Sequence, residues 1–334
     1  MNKKYLLFSA SAVALSLLVI LGSIEITLRL ISTENEDGNQ YVMGRHIEPY
    51  CVPLMATQNI VDRYEKSENS VYVYDSLRGW HYRPNFSYSD SLYVLNSIGI
   101  RGGKEFELTV PEDTIRIALF GDSYTFGSEV SFKHTWGKLL ESKLAEKGYP
   151  VEVMNFGVGG YGMDQAYLTW KHLGREYNPD LVLFGFQPEN VKRNLNILRT
   201  LYVWKHPYSK PRYYKSDEGG WQIANKPTIK STKIPGILEN ISDWRYAELE
   251  NYYNNKFDCV AGSFYIYQFL KQMVVNNKYT YGCLERDHYE PGKEPAQVAR
   301  YIIQQFRKSV EQQESDFLMV HLPTYPDIYS QKLG

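Results

Sequence analysis

Ile115-Arg116-Ile117-Ala118-Leu119-Phe120-Gly121-Asp122-Ser123-Tyr124-Thr125-Phe126-Gly127 decides how the rest of this chain is read. The mostly apolar run up to Phe120 has the length and residue types of a buried strand, and Gly-Asp-Ser ends it abruptly. A second glycine follows four residues after the serine, with an amphipathic helix predicted beyond it. A serine at the carboxyl end of a strand, just before a helix, sits where open α/β sheets bind and transform ligands. The helix N-terminus and loop N–H groups favour developing negative charge there. Ser123 is therefore the candidate nucleophile, and its partners have to come from elsewhere in the chain.

Working toward the C-terminus, the α/β alternation continues. After the first strand, Thr114 to Phe120, a helix is predicted from about Lys133 to Lys147, with Trp136, Leu139, Leu140 and Leu144 on one face and Gly148-Tyr149-Pro150 as its stop. Val151 to Phe156 is a second strand running into Gly157-Val158-Gly159-Gly160-Tyr161-Gly162, and a helix is predicted from Met163 to Leu173. A third strand spans Leu181 to Phe186. Between about Leu201 and Phe257 the regularity breaks in a Pro-, Lys- and Tyr-bearing stretch that reads as an insertion or lid, its lysines as a solvated face. Helical periodicity returns over Ala261–Val275 and Pro295–Gln312, and Phe317 to Leu322 is a last strand closed by Pro323. Strands alternating with helices imply a parallel sheet, hence a three-layer α/β/α architecture.

Acyl transfer from an ester needs a nucleophile, a base and donors for the tetrahedral oxyanion. Ser123 supplies the first. Gly160, at the end of the second strand, would let a backbone N–H approach an oxyanion closely. Asn190, after the third strand, offers a side-chain amide as a second donor. All three fall at the carboxyl ends of successive strands, where the fold predicts convergence.

These residues carry a family resemblance. Gly121-Asp122-Ser123-Tyr124-Thr125-Phe126-Gly127 resembles the first block of the SGNH, or GDSL-type, hydrolases, and Asn155-Phe156-Gly157-Val158-Gly159-Gly160-Tyr161-Gly162 resembles the second, with Gly160 at the block glycine. The resemblance runs from about Asp75 to Pro323. It implies a flavodoxin-like sheet, a serine that attacks an ester, and an oxyanion held by the serine N–H, the glycine and an asparagine. Apart from the resemblance, no Cys-x-x-Cys or His-rich spacing suggests a metal site, and no cofactor is expected. Two departures stand out. Where the family has Gly-x-Asn-Asp, this chain has Gly185-Phe186-Gln187-Pro188-Glu189-Asn190. Counted from Val191, Glu189 falls at the asparagine position, where a carboxylate would repel an oxyanion unless protonated; Asn190 is taken as the donor. The family's Asp-x-x-His base is also missing. His288 in Glu285-Arg286-Asp287-His288 is the nearest approximation but precedes the last helix and strand, while His134 is expected to be solvated and His321 packed. The expectation is a chain that stops before the block carrying its base.

The N-terminus adds a location. Tyr5 to Ile24 is free of charge, and roughly 20 apolar residues suffice to cross a bilayer. A secretory signal peptide is the rival reading, but its apolar core is usually shorter and ends in an Ala-x-Ala-like site. With Lys3 and Lys4 cytoplasmic, the remainder is expected outside the cytoplasm. The expected organisation is an anchor over 1–32, a linker and lead-in over 33–111, and an SGNH-like domain over 112–334 with an insertion at about 200–257. Cys259 and Cys283 could pair, leaving Cys51 over, or all three could be unpaired small hydrophobic residues.

A net charge of −1 gives no case for nucleic-acid binding. The 29 tyrosines suit either sugar or membrane-interface contacts, or a wet aromatic core margin. Together these readings point to a membrane-tethered serine ester hydrolase acting on an O-acylated glycan or lipid, with an O-acyltransferase or a non-catalytic scaffold as alternatives. They leave the oligomeric state open.

Overall fold

A computed structural model describes residues 3–34, 40–47, 54–66, 70–87, 93–202, 206–253, 262–277 and 289–323. The three cysteines and His288 lie outside these residues. Helix α1 (Lys3–Leu30) contains one segment, Phe8–Leu30, that is long and apolar enough to cross a membrane. Three short antiparallel strands follow, β1 (Thr33–Glu34), β2 (Gln40–Val42) and β3 (Arg45–Ile47). Next come α2 (Leu54–Lys66) and a hairpin of β4 (Tyr72–Asp75) and β5 (Gly79–Tyr82). The lead-in is thus more regular than its sequence suggests. Helix α2 buries only a narrow stripe centred on Ile60 and Val61, too short to stand out as a period.

The central unit then begins. Strand β6 (Ile115–Gly121) leads into the single-turn α3 (Ser123–Phe126), then α4 (Trp136–Glu146), β7 (Val151–Asn155), α5 (Met163–His172) and β8 (Leu181–Phe186). The chain continues through α6 (Asn190–Arg193), α7 (Arg199–Tyr202), a hairpin of β9 (Arg212–Lys215) and β10 (Trp221–Ala224), and α8 (Ile234–Glu239). Helix α9 (Tyr265–Asn277), α10 (Glu294–Glu311) and β11 (Asp316–His321) come last among the described residues.

Among the described residues, four strands form one parallel sheet in the order β11-β8-β6-β7. The two-residue pleat sorts their side chains. Ala118, Phe120, Met154, Phe156, Val182 and Phe184 face the layer of α5 and α10, which adds Trp170, Ile302 and Phe306. Phe120 stacks on Phe156 at 4.9 Å and meets Trp170 and Phe306 edge-on. Ile117, Leu119 and Leu183 face the opposite layer, where Trp136, Leu140 and Leu144 of α4 pack. The protein is a three-layer α/β/α fold preceded by the apolar N-terminal helix. Arg116 is fully buried in β6, and the Glu152 carboxylate of β7, 2.5 Å away, neutralises it.

Three local expectations change. The predicted start of α4 at Lys133 is a separate 3-10 turn over Phe132–His134; Thr135 caps α4 by accepting the Lys138 N–H, and Leu139 is 43% exposed rather than packed. His321 is exposed rather than packed, because β11 is the edge strand among the described residues and α4 packs on β7 and on Ile117, Leu119 and Leu183; Leu318 and Met319 are open on the same strand. The insertion is not simply a solvated lysine face. Lys210 is fully buried, with its Nζ 2.5 Å from Asp164 Oδ2 on α5. The buried Glu250 carboxylate accepts the Ile197 and Leu198 N–H groups, so the segment has a polar skeleton of its own.

Candidate active site

The turn that carries Ser123 is made possible by two glycines. Gly121 ends β6 opposite Gly185 of β8, and a Cβ on either would collide with the Thr125 hydroxyl. Their absence of side chains lets α3 close directly over the strand ends. Asp122 caps α3 through Oδ1, which accepts the Tyr124 N–H at 2.9 Å. Gly127 ends it in the left-handed region, φ +77°, donating its N–H to the Ser123 carbonyl. Ser123 is left half-buried at the mouth of a cavity of about 250 Å³ that Tyr124, Val130, Thr135 and Trp136 also line. Among the described residues its Oγ has no hydrogen-bond partner.

On one side lies the glycine loop after β7. The Val158 N–H donates to the Gly121 carbonyl at 3.1 Å, so the loop touches the serine turn directly. The β4–β5 hairpin holds its outer edge. Trp80 Nε1 donates to the Gly159 carbonyl at 3.0 Å, the Gly159 N–H donates to the Tyr82 hydroxyl at 3.2 Å, and the Tyr161 hydroxyl donates to the Trp80 carbonyl at 2.6 Å. The rings behind these bonds pack together: Trp80 stacks on Tyr208, Tyr72 on Tyr82, and Tyr82 lies against Phe126 of α3 at 4.4 Å. In this region the many tyrosines are core margin. Gly160, at φ +78°, is half-buried at the crest of the loop, and its N–H and that of Ser123 have no acceptor among the described residues.

On the other side the segment after β8 is held by charge. Arg193 Nη1 donates to Asp122 Oδ2 at 2.9 Å and to the Tyr161 carbonyl at 3.2 Å. It therefore ties the third-strand segment, the glycine loop and the serine turn at one point. Asn190 is buried, its Nδ2 3.2 Å from the same Asp122 oxygen and its Oδ1 3.3 Å from Arg193 Nη1. The Glu189 carboxylate shares this guanidinium, accepting from Arg193 Nη2 at 3.0 Å and from the Tyr202 hydroxyl. Burial works to raise the Glu189 carboxyl, but the Arg193 charge and these hydrogen bonds outweigh it and hold it below the usual carboxylate range. Burial likewise opposes the Arg193 charge, and Glu189 and Asp122 more than restore it.

Arg199 completes this side. It is 3% exposed, its Nε and Nη1 have no hydrogen-bond partner among the described residues, and its guanidinium lies over the Tyr202 ring at 4.4 Å. Nε and Nη2 stand 3.7 Å from where a Cβ on Gly160 would sit. Burial, and then the like charge of Arg193, push Arg199 down to about 10, so it stays cationic at neutral pH.

Ser123, Gly160 and Asn190 thus fall on three segments that Arg193 joins. Asn190 reaches the site through Asp122, its neighbour across the strand ends. The described histidines do not meet Ser123: His134 is exposed with Nδ1 3.0 Å from the Ser131 hydroxyl, and His81 is buried with Nε2 3.1 Å from the Ile98 carbonyl. Sequence reasoning missed Arg193, Arg199, Trp80, Tyr82 and Tyr161. Arg193 carried a usable signal, since its i,i+3 spacing from Asn190 puts both on one face of a single turn. Trp80 and Tyr82 carried none, lying far upstream in an irregular stretch.

No protein-family model matches the chain, and no curated protein matches it by sequence. Among solved structures it is similar to an acetyl xylan esterase, at 18% identity and a TM-score of 0.24 over 61% of this chain and 77% of that one. It is also similar to AlinE4, an SGNH-hydrolase family esterase, at 16% identity and a TM-score of 0.23 over 61% of this chain and 98% of that one.

Proposed function

We propose that this protein is a membrane-tethered serine acyl hydrolase that cleaves an O-acyl ester of a glycan or lipid outside the cytoplasm. The observation that carries this reading is the pair of N–H groups on Ser123 and Gly160, which have no acceptor among the described residues, on touching loops beside a Ser123 hydroxyl that has no partner among them. The polar groups around them on Asp122, Asn190 and Glu189 are paired, and Arg193 is paired through both Nη atoms. Such a distribution leaves donors where an oxyanion forms.

In the proposed reaction Ser123 Oγ attacks the ester carbonyl carbon and its proton passes to a base. The carbonyl oxygen becomes an oxyanion held by the two N–H groups, with the second Asn190 amide hydrogen as a further donor. Collapse expels the alcohol, which takes up the proton, and leaves an acyl group on Ser123. Water then releases the acid; a second alcohol in its place would make the same site an O-acyltransferase. The cavity of about 250 Å³ beside Ser123 suits a small acyl group. Arg199 behind Gly160 adds a fixed positive charge that favours the oxyanion.

A non-catalytic scaffold is the second reading. It is favoured by one observation: no described side chain lies in hydrogen-bond contact with Ser123 Oγ to act as base. A fluorophosphonate probe separates the two. The full-length protein is expected to form an adduct that Ser123→Ala abolishes, together with a loss of roughly a thousandfold or more in p-nitrophenyl acetate hydrolysis. No Ser123-dependent adduct and no hydrolysis would overturn the enzyme reading in favour of the scaffold.

A further inference from the structure

Helix α9 carries large apolar side chains both where it is packed and where it is open. Its inner face puts Tyr265 against Leu28, Val42 and Ile47, with Ile266 and Phe269 alongside. Phe264, just before its first residue, and Tyr267, Leu270 and Met273 are exposed at 50%, 36%, 54% and 42%, sweeping round the half of the helix turned away from that packing. A helix that presents several large apolar side chains away from its packed side calls for something other than water there.

The position of α9 says what lies on the outer side. The charge-free run from Tyr5 to Ile24 rises about 30 Å at 1.5 Å per residue, the thickness of a hydrocarbon core, so Glu25 marks the boundary. The Glu25 carboxylate accepts the N–H groups of both Tyr265 and Ile266 at 3.0 Å. Arg29, one turn further along α1 and ion-paired with Glu25, donates to the Ser263 carbonyl at 3.0 Å and lies over the Tyr265 ring at 4.7 Å. The first turn of α9 is therefore fixed at the depth where α1 leaves the hydrocarbon. Lys271 is exposed on the outer side as well, with a stem long enough to carry its charge to the headgroups.

We propose that α9 lies in the lipid–water interface, its exposed Phe264, Tyr267, Leu270 and Met273 side chains embedded in the bilayer surface as a second membrane contact beside α1. The partner is a lipid surface, and the inference rests on the reading of α1 as a membrane span. Two contacts on different elements would hold the domain in one orientation against the bilayer, where a single span leaves it free to swing on a linker.

Photo-crosslinking tests this on the full chain, one copy per nanodisc, in phosphatidylcholine and phosphatidylglycerol that include a diazirine-bearing acyl chain. Peptide mapping is expected to find lipid adducts on the 264–273 segment as well as on α1. The double variant Leu270→Asp with Met273→Asp is expected to lose at least tenfold of the α9 adducts and to keep those on α1. Adducts on α1 with none on α9 would overturn the proposal and leave the anchor standing. No adducts on either segment would overturn the membrane span and the proposal together.

Discussion

On one side of Ser123 the 157–162 loop hangs from the β4–β5 hairpin through hydrogen bonds whose donors and acceptors sit on stacked aromatic rings. On the other side the segment after β8 is held by two guanidinium groups and two carboxylates. The difference lies in how each side responds to change. Aromatic packing is short-ranged and neutral, so a lost contact stays local. Buried charges are coupled, so removing one leaves another unpaired in a medium that solvates it poorly.

The largest expected effect breaks the charged side. Arg193→Met leaves the buried Asp122 carboxylate without its partner, and a loss of about 3–5 kcal/mol in urea unfolding is expected. Adding Asp122→Asn should recover much of it, since the double variant leaves no unpaired charge. An unchanged double variant would mean that Arg193 acts chiefly through the Tyr161 carbonyl.

Acid should weaken the aromatic side first. His81, buried in β5, has its imidazole pushed down to about 4 by burial and then by the Arg78 charge. A folded value below the unfolded one gives stability that is fully present above about pH 6.5 and lost as pH falls toward 4, up to about 3 kcal/mol. Unfolding measured between pH 7 and 4 should show that slope, flattened in His81→Gln. Glu189 acts later. Its carboxyl is held below the usual range, so its contribution is present above the unfolded carboxylate value and lost as pH falls through the lower folded one. Tyr202→Phe should move that second loss to higher pH.

The smallest expected effect sharpens the comparison. Tyr161→Phe removes one hydroxyl from the aromatic side and should cost about 1 kcal/mol, with esterase activity changed less than in Arg193→Met. A loss of activity as large as that of Arg193→Met would show that the hairpin, not the charge cluster, sets the position of Gly160.

The sheet was legible because each of its strands is a short apolar run bounded by turn residues, and Leu181–Phe186 falls where the sequence placed it. The serine turn was legible because Gly121 and Gly185 are the only residue type that tolerates Thr125 at that distance. What frames the site was not. Trp80 and Tyr82 reach Gly159 across nearly eighty residues, and a single sequence carries no trace of such a contact. His321 misled because a period-two strand pattern cannot tell a central strand from an edge whose outer face is open.

The bond from Arg193 to Asp122 spans 71 positions of chain and has an order of events built into it. When β6 and α3 first come together, the Asp122 carboxylate has its capping bond to Tyr124 but no cation, and water cannot leave it cheaply. Only when β8 has joined β6 does α6 bring Arg193 within reach. The serine turn therefore waits on β8: the element that marks the site in the sequence gains its full set of partners only from a segment 71 positions further on.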